Sequence, residues 1–378
     1  MRAFENLIGQ KNIINIFQKA IAAAQSGNLN SQEMTSTWLV VGPPGSGRTT
    51  IALEFAKGLL CSESGCGICE SCLSVQANTH PDLEFFRRDG LTLKVDEIRE
   101  LIGRASWEPA ISKFRVIIIE DADRLTESAA NALLKAIEEP GSRTIWLLCA
   151  PSTVDILPTI RSRCRIAVLQ APNQEEIKKM LIAEGVSAES ADFAARVSLG
   201  HIGRARLLAR DKDIRDFRNS FLKQAISINS VSDAYKCATW INEKIKEQSE
   251  NLSAEQNKIE IEKLKEAWGE NGRKLVSGGA KAVKELEAMQ KARNTRLTRA
   301  LIDQSLLDLI SCYRDALILG VENQLINLEL KNEINKIHNK FQPNEILGII
   351  DQIMQTRDFL NRNAAPQLAI ENLLVKLA

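Results

Sequence analysis

The sequence predicts a parallel α/β domain built around a phosphate-binding loop, followed by an all-helical region. Three observations carry that prediction. A short apolar run, Trp38 to Val41, enters the Gly-rich stretch GPPGSGRTT at residues 42–50. Further apolar runs then alternate with helical periodicity as far as Leu169, the signature of a parallel sheet covered by helices. From about Asn173 onward the strand signals vanish. A chain of 378 residues, 44% hydrophobic, is long enough for two or three domains, each with its own core.

Element by element, Trp38–Val41 reads as the strand before the loop, and Thr49–Leu60 as the amphipathic helix after it, with Ile51, Leu53, Phe55, Leu59 and Leu60 available for burial. Leu83–Phe86, Val116–Ile119 and Ile145–Leu148 are further strands, with helical periodicity at Val95–Ile102 and Ala129–Ile137 between them. Ile166–Leu169 is the last strand, and Pro172 marks a linker after it. Helical spacing recurs at Leu306, Ile310, Tyr313 and Leu317, at Leu347, Ile350 and Met354, and at Ile370, Leu373 and Leu377. Gly320 and Pro343 sit where helix ends are expected. Between Ile241 and Arg299 the chain is highly charged and broken by Gly269, Gly272 and the Gly278–Gly279 pair, which reads as two solvent-exposed helices around a flexible turn and not as a binding tail.

Composition excludes several classes of function. The formal net charge of +1 sets up no overall field toward nucleic acid or an anionic membrane, so any DNA contact is local. No apolar run approaches the ~20 residues that span a bilayer, and Met1–Gln10 lacks the order of a signal peptide, so a cytoplasmic protein is expected. Four of the eight cysteines cluster between Cys61 and Cys72, which in such a chain points to a metal and not to disulfides.

Residues Gly42, Pro43, Pro44, Gly45, Ser46, Gly47, Arg48, Thr49 and Thr50 follow the Gly-x-x-x-x-Gly pattern of a phosphate cradle. Glycines let consecutive amides converge on phosphate oxygens, and the next helix presents its unpaired N–H groups to the same anion. Thr49 is placed to bind Mg²⁺ through its hydroxyl. Arg48 stands where lysine is usual, and its planar fork is a poor substitute where a point charge must reach between phosphates. ATP binding with weakened catalysis is the expectation; a Gly-rich turn with no ligand is the alternative. At the end of the third strand Glu120 and Asp121 invert the usual order of a metal-holding Asp and a water-polarising Glu, unless the pair is simply a solvated strand cap. The run C-SESG-C-GI-C-ES-C offers Cys61, Cys66, Cys69 and Cys72 as four soft ligands for a closed, tetrahedral, structural Zn²⁺ site, against redox-active or unliganded thiols. Cys149, Cys164, Cys237 and Cys312 are isolated and read as small core residues.

These motifs, with IGQ at 8–10, HPD at 80–82, VDEIRE at 95–100, NALLKAIEEP at 131–140 and SRC at 162–164, resemble the bacterial DNA polymerase III clamp-loader subunits of the AAA+ class, and within them the delta prime type. TRLTRALIDQSLLDLISCYRDAL at 295–317 is similar to the actinobacterial members. The resemblance implies an AAA+ domain at residues 1–171 with the four-cysteine zinc module at 61–72, a helical lid at 172–212 and a helical collar at 213–378. It implies Arg163 as an arginine finger reaching the nucleotide of a neighbouring subunit, with Arg pairing inside its own subunit as the alternative. It further implies a lid arginine sensing ATP, nearest to Arg204 in GHIGRAR, and a polar sensor near the APST of residues 150–153, where the match is poor. Partners implied are the tau/gamma and delta subunits in a hetero-oligomeric ring, the sliding clamp, and primed DNA through the complex. The implied role is clamp loading with little or no ATP hydrolysis. An active tau/gamma-type motor and a zinc-stabilised adaptor with a vestigial P-loop are the alternatives.

Overall fold

A computed structural model describes residues 3–5, 7–27, 32–87, 92–267, 279–320, 325–361 and 364–377. The chain divides into two compact units, Met1–Arg210 and Asp211–Ala378.

The first unit opens with helix α1 (Lys11–Gln25) and strand β1 (Thr37–Val41), followed by α2 (Arg48–Leu60) and the short α3 (Glu70–Gln76). Then come β2 (Leu83–Phe86), α4 (Val95–Ala105), β3 (Arg115–Ile119), a 3-10 turn at Ala122–Arg124, α5 (Glu127–Glu138), β4 (Thr144–Ala150), α6 (Pro158–Arg161) and β5 (Arg165–Val168). Three helices close the unit: α7 (Gln174–Ala183), α8 (Ala188–Val197) and α9 (Ile202–Arg210). The strands form one five-stranded sheet in the order β2-β3-β4-β1-β5, and every pair is parallel. The predicted parallel α/β architecture is therefore present. The last strand begins one residue earlier than the sequence suggests, because Arg165 pairs in register with Trp38.

Period-two alternation explains why both sheet faces are apolar. Trp38, Val40, Val116, Ile118 and Leu147 point to one face, where they pack with Phe17 of α1 and Ile51 and Phe55 of α2. Leu39, Val41, Ile117, Ile119, Trp146 and Leu148 point to the other, against Leu101 of α4 and Leu133 of α5. The rings of Phe17 and Phe55 stack with centroids 4.2 Å apart, and Trp38 meets both edge-on at 5.2 and 5.5 Å. Thr126 caps α5 by accepting from the Ala129 N–H at 3.3 Å, and Asn173 with Glu176 forms a capping box on α7.

The second unit is helical: α10 (Lys212–Ile226), α11 (Val231–Ala267), α12 (Gly279–Leu317), a 3-10 turn at Leu328–Leu330, α13 (Lys331–Lys340), α14 (Pro343–Asn361) and α15 (Pro366–Leu377). Gly320 takes a left-handed φ of 109° after α12, and Pro343 opens α14, as predicted from their residue types. The core gathers Phe221, Ile241, Leu309, Ile334, Ile353 and Leu373. Within it Arg218 is buried, donating to Asp308 at 3.0 Å and Glu329 at 3.1 Å, while Asp315 accepts the backbone N–H groups of Ile326 and Asn327 at 2.9 and 2.7 Å. The charged segment forms the long antiparallel pair α11 and α12, and its contact line is polar. Thr298 donates to Ser249 at 3.0 Å, and Arg293 holds Glu260 at 2.6 Å, drawing that carboxyl down to about 2. The two helices thus face one another in part and not only solvent. The expected turn through Gly269, Gly272 and Gly278 lies outside the described residues, and α12 begins at Gly279. No helix among the described residues is long and apolar enough to cross a membrane.

Candidate functional site

The Gly-rich loop joins β1 to α2, so it lies at the carboxyl ends of the strands, where sheets of this type place their ligands. Two glycines in it are obligatory. Gly45 and Gly47 have φ of 79° and 89°, the left-handed region that L side chains rarely adopt. The loop is pinned at its base by Gly42 N–H to the Ala150 carbonyl at 3.3 Å and turned by Ser46 N–H to the Pro43 carbonyl at 3.1 Å. Pro44 and Thr50 lie exposed on either side of it.

Arg48 folds back on its own loop. Its Nη1 donates to the Gly42 carbonyl at 3.0 Å, and its Nη2 stands 3.8 Å from Asp121 Oδ1. Asp121 holds a left-handed φ of 54° and also pairs with Arg124 at 3.4 Å. Thr49 Oγ1 donates to Glu120 Oε1 at 2.9 Å, so the sequence-predicted hydroxyl and the first strand-end acid meet. Arg87 Nε stands 3.1 Å from Glu120 Oε2, off the line of a hydrogen bond. Glu120 and Asp121 are therefore engaged with the loop and are not a solvated strand cap.

Among the described residues, three buried polar atoms here accept or donate no hydrogen bond: Ser46 Oγ, Glu120 Oε2 and Asp123 Oδ1. A hydroxyl without a partner and two carboxylate oxygens with spare lone pairs complement an anion accompanied by a cation. Sequence reasoning missed Asp123; the signal was the third acid in the run EDAD. Burial, and secondarily the charge of Asp121, pushes its carboxyl up.

A second missed residue is His201, the last of the four residues between α8 and α9. Its Nδ1 accepts the Arg204 N–H at 3.1 Å, capping α9, and Ile202 N–H donates to the Gly45 carbonyl at 3.3 Å. A Cβ built on Gly45 would lie 2.2 Å from His201 Cγ, so the imidazole rests directly on the loop. Burial lowers the pKa of this ring, and the charges of Arg204 and Arg48 lower it further. Arg204 Nη1 donates to the Val197 carbonyl at 3.2 Å. In APST, Ala150 is buried at the end of β4, and Ser152 Oγ accepts the Val154 N–H at 3.3 Å.

The four clustered thiols converge. The Sγ atoms of Cys61, Cys66, Cys69 and Cys72 all lie within 4.8 Å of one another, with separations of 3.6 Å (Cys61–Cys69), 3.9 Å (Cys61–Cys66) and 4.0 Å (Cys66–Cys72). Backbone N–H groups of Glu63, Gly67 and Cys72 point at three of the sulfurs at 3.3–3.4 Å. The N–H groups of Ile68 and Cys69 bring the Cys66 thiol down to about 6. Such a set is able to hold a soft metal ion. Of the remaining cysteines, Cys149, Cys237 and Cys312 are buried as the sequence suggests, and burial pushes Cys149 and Cys237 up to about 12; Cys164 is only half-buried, its Sγ donating to the Ile160 carbonyl at 3.2 Å.

The HPD motif is a structural brace under this module. Asp82 is fully buried and accepts backbone N–H groups from Ala110, Ile111 (2.9 Å) and Ser112 (2.7 Å), while His80 Nδ1 accepts the Asp82 N–H at 3.1 Å. Arg163 sits after α6, half exposed. Its Nε pairs with Glu138 at the end of α5, and its Nη1 donates to the Thr159 carbonyl at 2.8 Å. The motifs SRC and NALLKAIEEP thus touch through Arg163 and Glu138. Its neighbours are bound to backbone: Arg161 to the Thr153 carbonyl at 3.4 Å, and Arg165 to Gln32 and Glu33 at 2.9 and 2.8 Å.

Comparison with known proteins points one way. Residues 10–173 match the family model described as DNA polymerase III, delta subunit. The DNA polymerase III subunit delta' of Bacillus subtilis is 30% identical over 213 residues, 56% of this chain and 64% of that one. The Escherichia coli subunit delta' is 33% identical over 199 residues, 51% of this chain and 58% of that one. A subunit gamma/tau from Mycobacterium bovis is 35% identical over 151 residues, 39% of this chain and 26% of that one. The chain thus spans less than two thirds of the length of the curated relatives it matches. The region that carries the loop, the acids and the cysteine cluster is thus similar to the DNA polymerase III delta-subunit family, and both delta' and gamma/tau subunits are among its relatives.

Proposed function

We propose that this chain is the delta' subunit of a clamp loader, one that binds ATP in its P-loop, hydrolyses little of it, and works within a ring of tau/gamma and delta subunits to place a sliding clamp on primed DNA. The observation that carries the reading is Arg48. In a sheet domain similar to that of delta' proteins, the residue at the lysine position is already engaged by the Gly42 carbonyl and Asp121. That geometry favours a binding subunit over a motor. Gly45, Ser46, Gly47 and Thr49 would hold the triphosphate, and Thr49 with Glu120 would hold Mg²⁺, which supplies charge neutralisation to the phosphates. Arg163 would serve a neighbouring subunit's nucleotide after leaving Glu138; its fork suits charge spread over equatorial phosphate oxygens.

Zinc suits the cysteine module. With Zn–S bonds of about 2.3 Å, a tetrahedron has edges of about 3.8 Å. Three of the Sγ separations, 3.6–4.0 Å, bracket that value, and all four sulfurs lie within 4.8 Å of one another. The division at Arg210 is compatible with a lid of residues 172–212 grouped with the AAA+ domain and a collar beyond it. The test is reconstitution: loader assembled with and without this chain, assayed for clamp transfer to primed DNA and for ATP uptake by the isolated chain. Clamp loading that is indifferent to the chain would overturn the role. Robust hydrolysis by the isolated chain would favour the motor reading.

A further inference from the structure

We propose that His201 is a phosphate-contacting residue of the nucleotide site, carried to the P-loop by the helices that follow the sheet. The inference rests on the reading of the loop as a nucleotide site and names a contact within it. Its starting point is the fit between ring and loop. Gly45 has φ 79°, and a Cβ there would stand 2.2 Å from His201 Cγ and 2.4 Å from Nδ1. The loop is therefore shaped to accept this imidazole and no residue with a side chain.

The backbone before His201 is bent to deliver it. Leu199 and Gly200 both take left-handed φ, 53° and 85°. For leucine that conformation is disfavoured, and such strain persists where the surrounding structure fixes it. His201 N–H donates to the Ser198 carbonyl and Ile202 N–H to the Gly45 carbonyl, at 3.0 and 3.3 Å, so the turn is tied at one end to its own helix pair and at the other to the loop.

The hydrogen bonds then settle the tautomer. Nδ1 accepts the Arg204 N–H at 3.1 Å, and a ring nitrogen that accepts carries no proton. In the neutral imidazole the proton is on Nε2, which leaves the ring that packs on the loop with one N–H donor. Arg204, the cation expected in this place from the sequence, directs Nη1 to the Val197 carbonyl. Ser46, 1% exposed, has a hydroxyl with no partner in the same loop. A phosphate oxygen would supply the acceptor that the Ser46 hydroxyl lacks, and the His201 Nε2–H is a second donor for the same anion.

The alternative is that His201 is only a helix cap, and two measurements on the purified full chain separate the two. His201→Asn retains a good N-cap for α9 but removes the ring, whereas His201→Ala removes both. In calorimetric titration with Mg-ATP, His201→Asn should weaken binding about tenfold, the size of one hydrogen bond to a charged group, while its Tm stays within about 2 °C of wild type. His201→Ala should lose both affinity and Tm. Because the sequence has three histidines, His80, His201 and His338, the imidazole proton signals can be assigned by substitution. The His201 signal should shift on ATP addition and the other two should not. Wild-type chain that takes up no ATP overturns the nucleotide reading and this inference together. Uptake that is unchanged in His201→Asn, with an unmoved His201 signal, overturns this inference alone and leaves a cap.

Discussion

Arg48→Lys is expected to tighten ATP binding without restoring a motor. The structure gives the magnitude. At 3.8 Å and an effective dielectric of about 20, the Arg48–Asp121 attraction is roughly 4 kcal/mol before desolvation, and partly exposed pairs retain about 1 kcal/mol of it. The hydrogen bond from Nη1 to the Gly42 carbonyl at 3.0 Å adds about 1.5 kcal/mol. To reach phosphate the guanidinium must leave both, so about 2.5 kcal/mol opposes nucleotide entry. Lysine is a compact point donor without the fork, and it can keep at most one of the two contacts. Relieving the other is worth about 1.4 kcal/mol, so the Kd for ATP should fall about tenfold. Hydrolysis should stay low, since the Glu120–Asp121 order is untouched, and Arg48→Ala should bind more weakly than wild type because it removes the cation as well. Calorimetric titration with ATP and a coupled phosphate-release assay measure both quantities. An Arg48→Lys variant that binds no tighter than wild type would show that the folded-back arginine does not compete with nucleotide, and the reasoning would fail.

The other predictions concern the metal, the brace and the exposed arginine. Protein purified without chelator should carry about one zinc per chain, and Cys69→Ser should lower that content and expose the insert to protease while the sheet keeps its circular dichroism; metal-free protein with an ordered insert would contradict this. Asp82→Asn should destabilise the sheet domain by about 2–3 kcal/mol, since it removes the charged acceptor of three backbone N–H groups. Burial alone would raise the Asp82 carboxyl, but those N–H groups outweigh it and hold it below the usual range. A depressed carboxyl adds stability that is full above its unfolded pKa, about 3.9, and is lost as pH falls through the lower folded value. Denaturant melts of wild type and Asp82→Asn should accordingly begin to approach one another as pH falls below about 4 and meet only below the lower folded value, and parallel curves would refute the assignment. Arg163→Ala should cost the chain under about 1 kcal/mol, because its pair with Glu138 is some 40% exposed on both sides. The same variant should slow clamp- and DNA-stimulated ATP turnover by an assembled loader, and unchanged turnover would leave Arg163 a surface brace.

The parts of the fold that were legible in the sequence are those set by local periodicity. The strands at Leu83–Phe86 and Val116–Ile119 and the helix of Val95–Ile102 lie where apolar spacing puts them, because a sheet buried on both faces needs near-continuous apolar runs and its helices need a single stripe. The thiol cluster was legible for a similar reason: its ligands sit within twelve residues of one another, so spacing alone nearly fixes their convergence. Contacts between distant segments were not. Arg48 to Asp121, Arg163 to Glu138 and Asp82 to the loop at Ala110–Ser112 join residues that no periodic pattern relates. His201 was the hardest to see, since its site depends on a left-handed turn at Leu199, a residue type that carries no turn signal.

The two departures from the usual P-loop pattern are coupled in space, and this matters more than either alone. Arg48 stands where the motif usually has lysine, and Asp121 where the expected order would put the longer acid. In the fold the two substituted residues face each other at 3.8 Å. Asp121, shorter by one methylene and turned into a left-handed conformation beside Arg124, is held by arginines and not aimed at a water. Glu120, by contrast, keeps its hydrogen bond to Thr49. On the reading proposed above, Thr49 and Glu120 are already together, while Asp121 is taken up by an internal ion pair. A single substitution at either position removes this pair but leaves Asp121 with Arg124 and Arg48 with the Gly42 carbonyl, so each single variant is expected to fold. The paired change Arg48→Lys with Asp121→Glu is the one that would move this loop toward turnover, and comparing its hydrolysis rate with those of the two single variants measures the coupling directly.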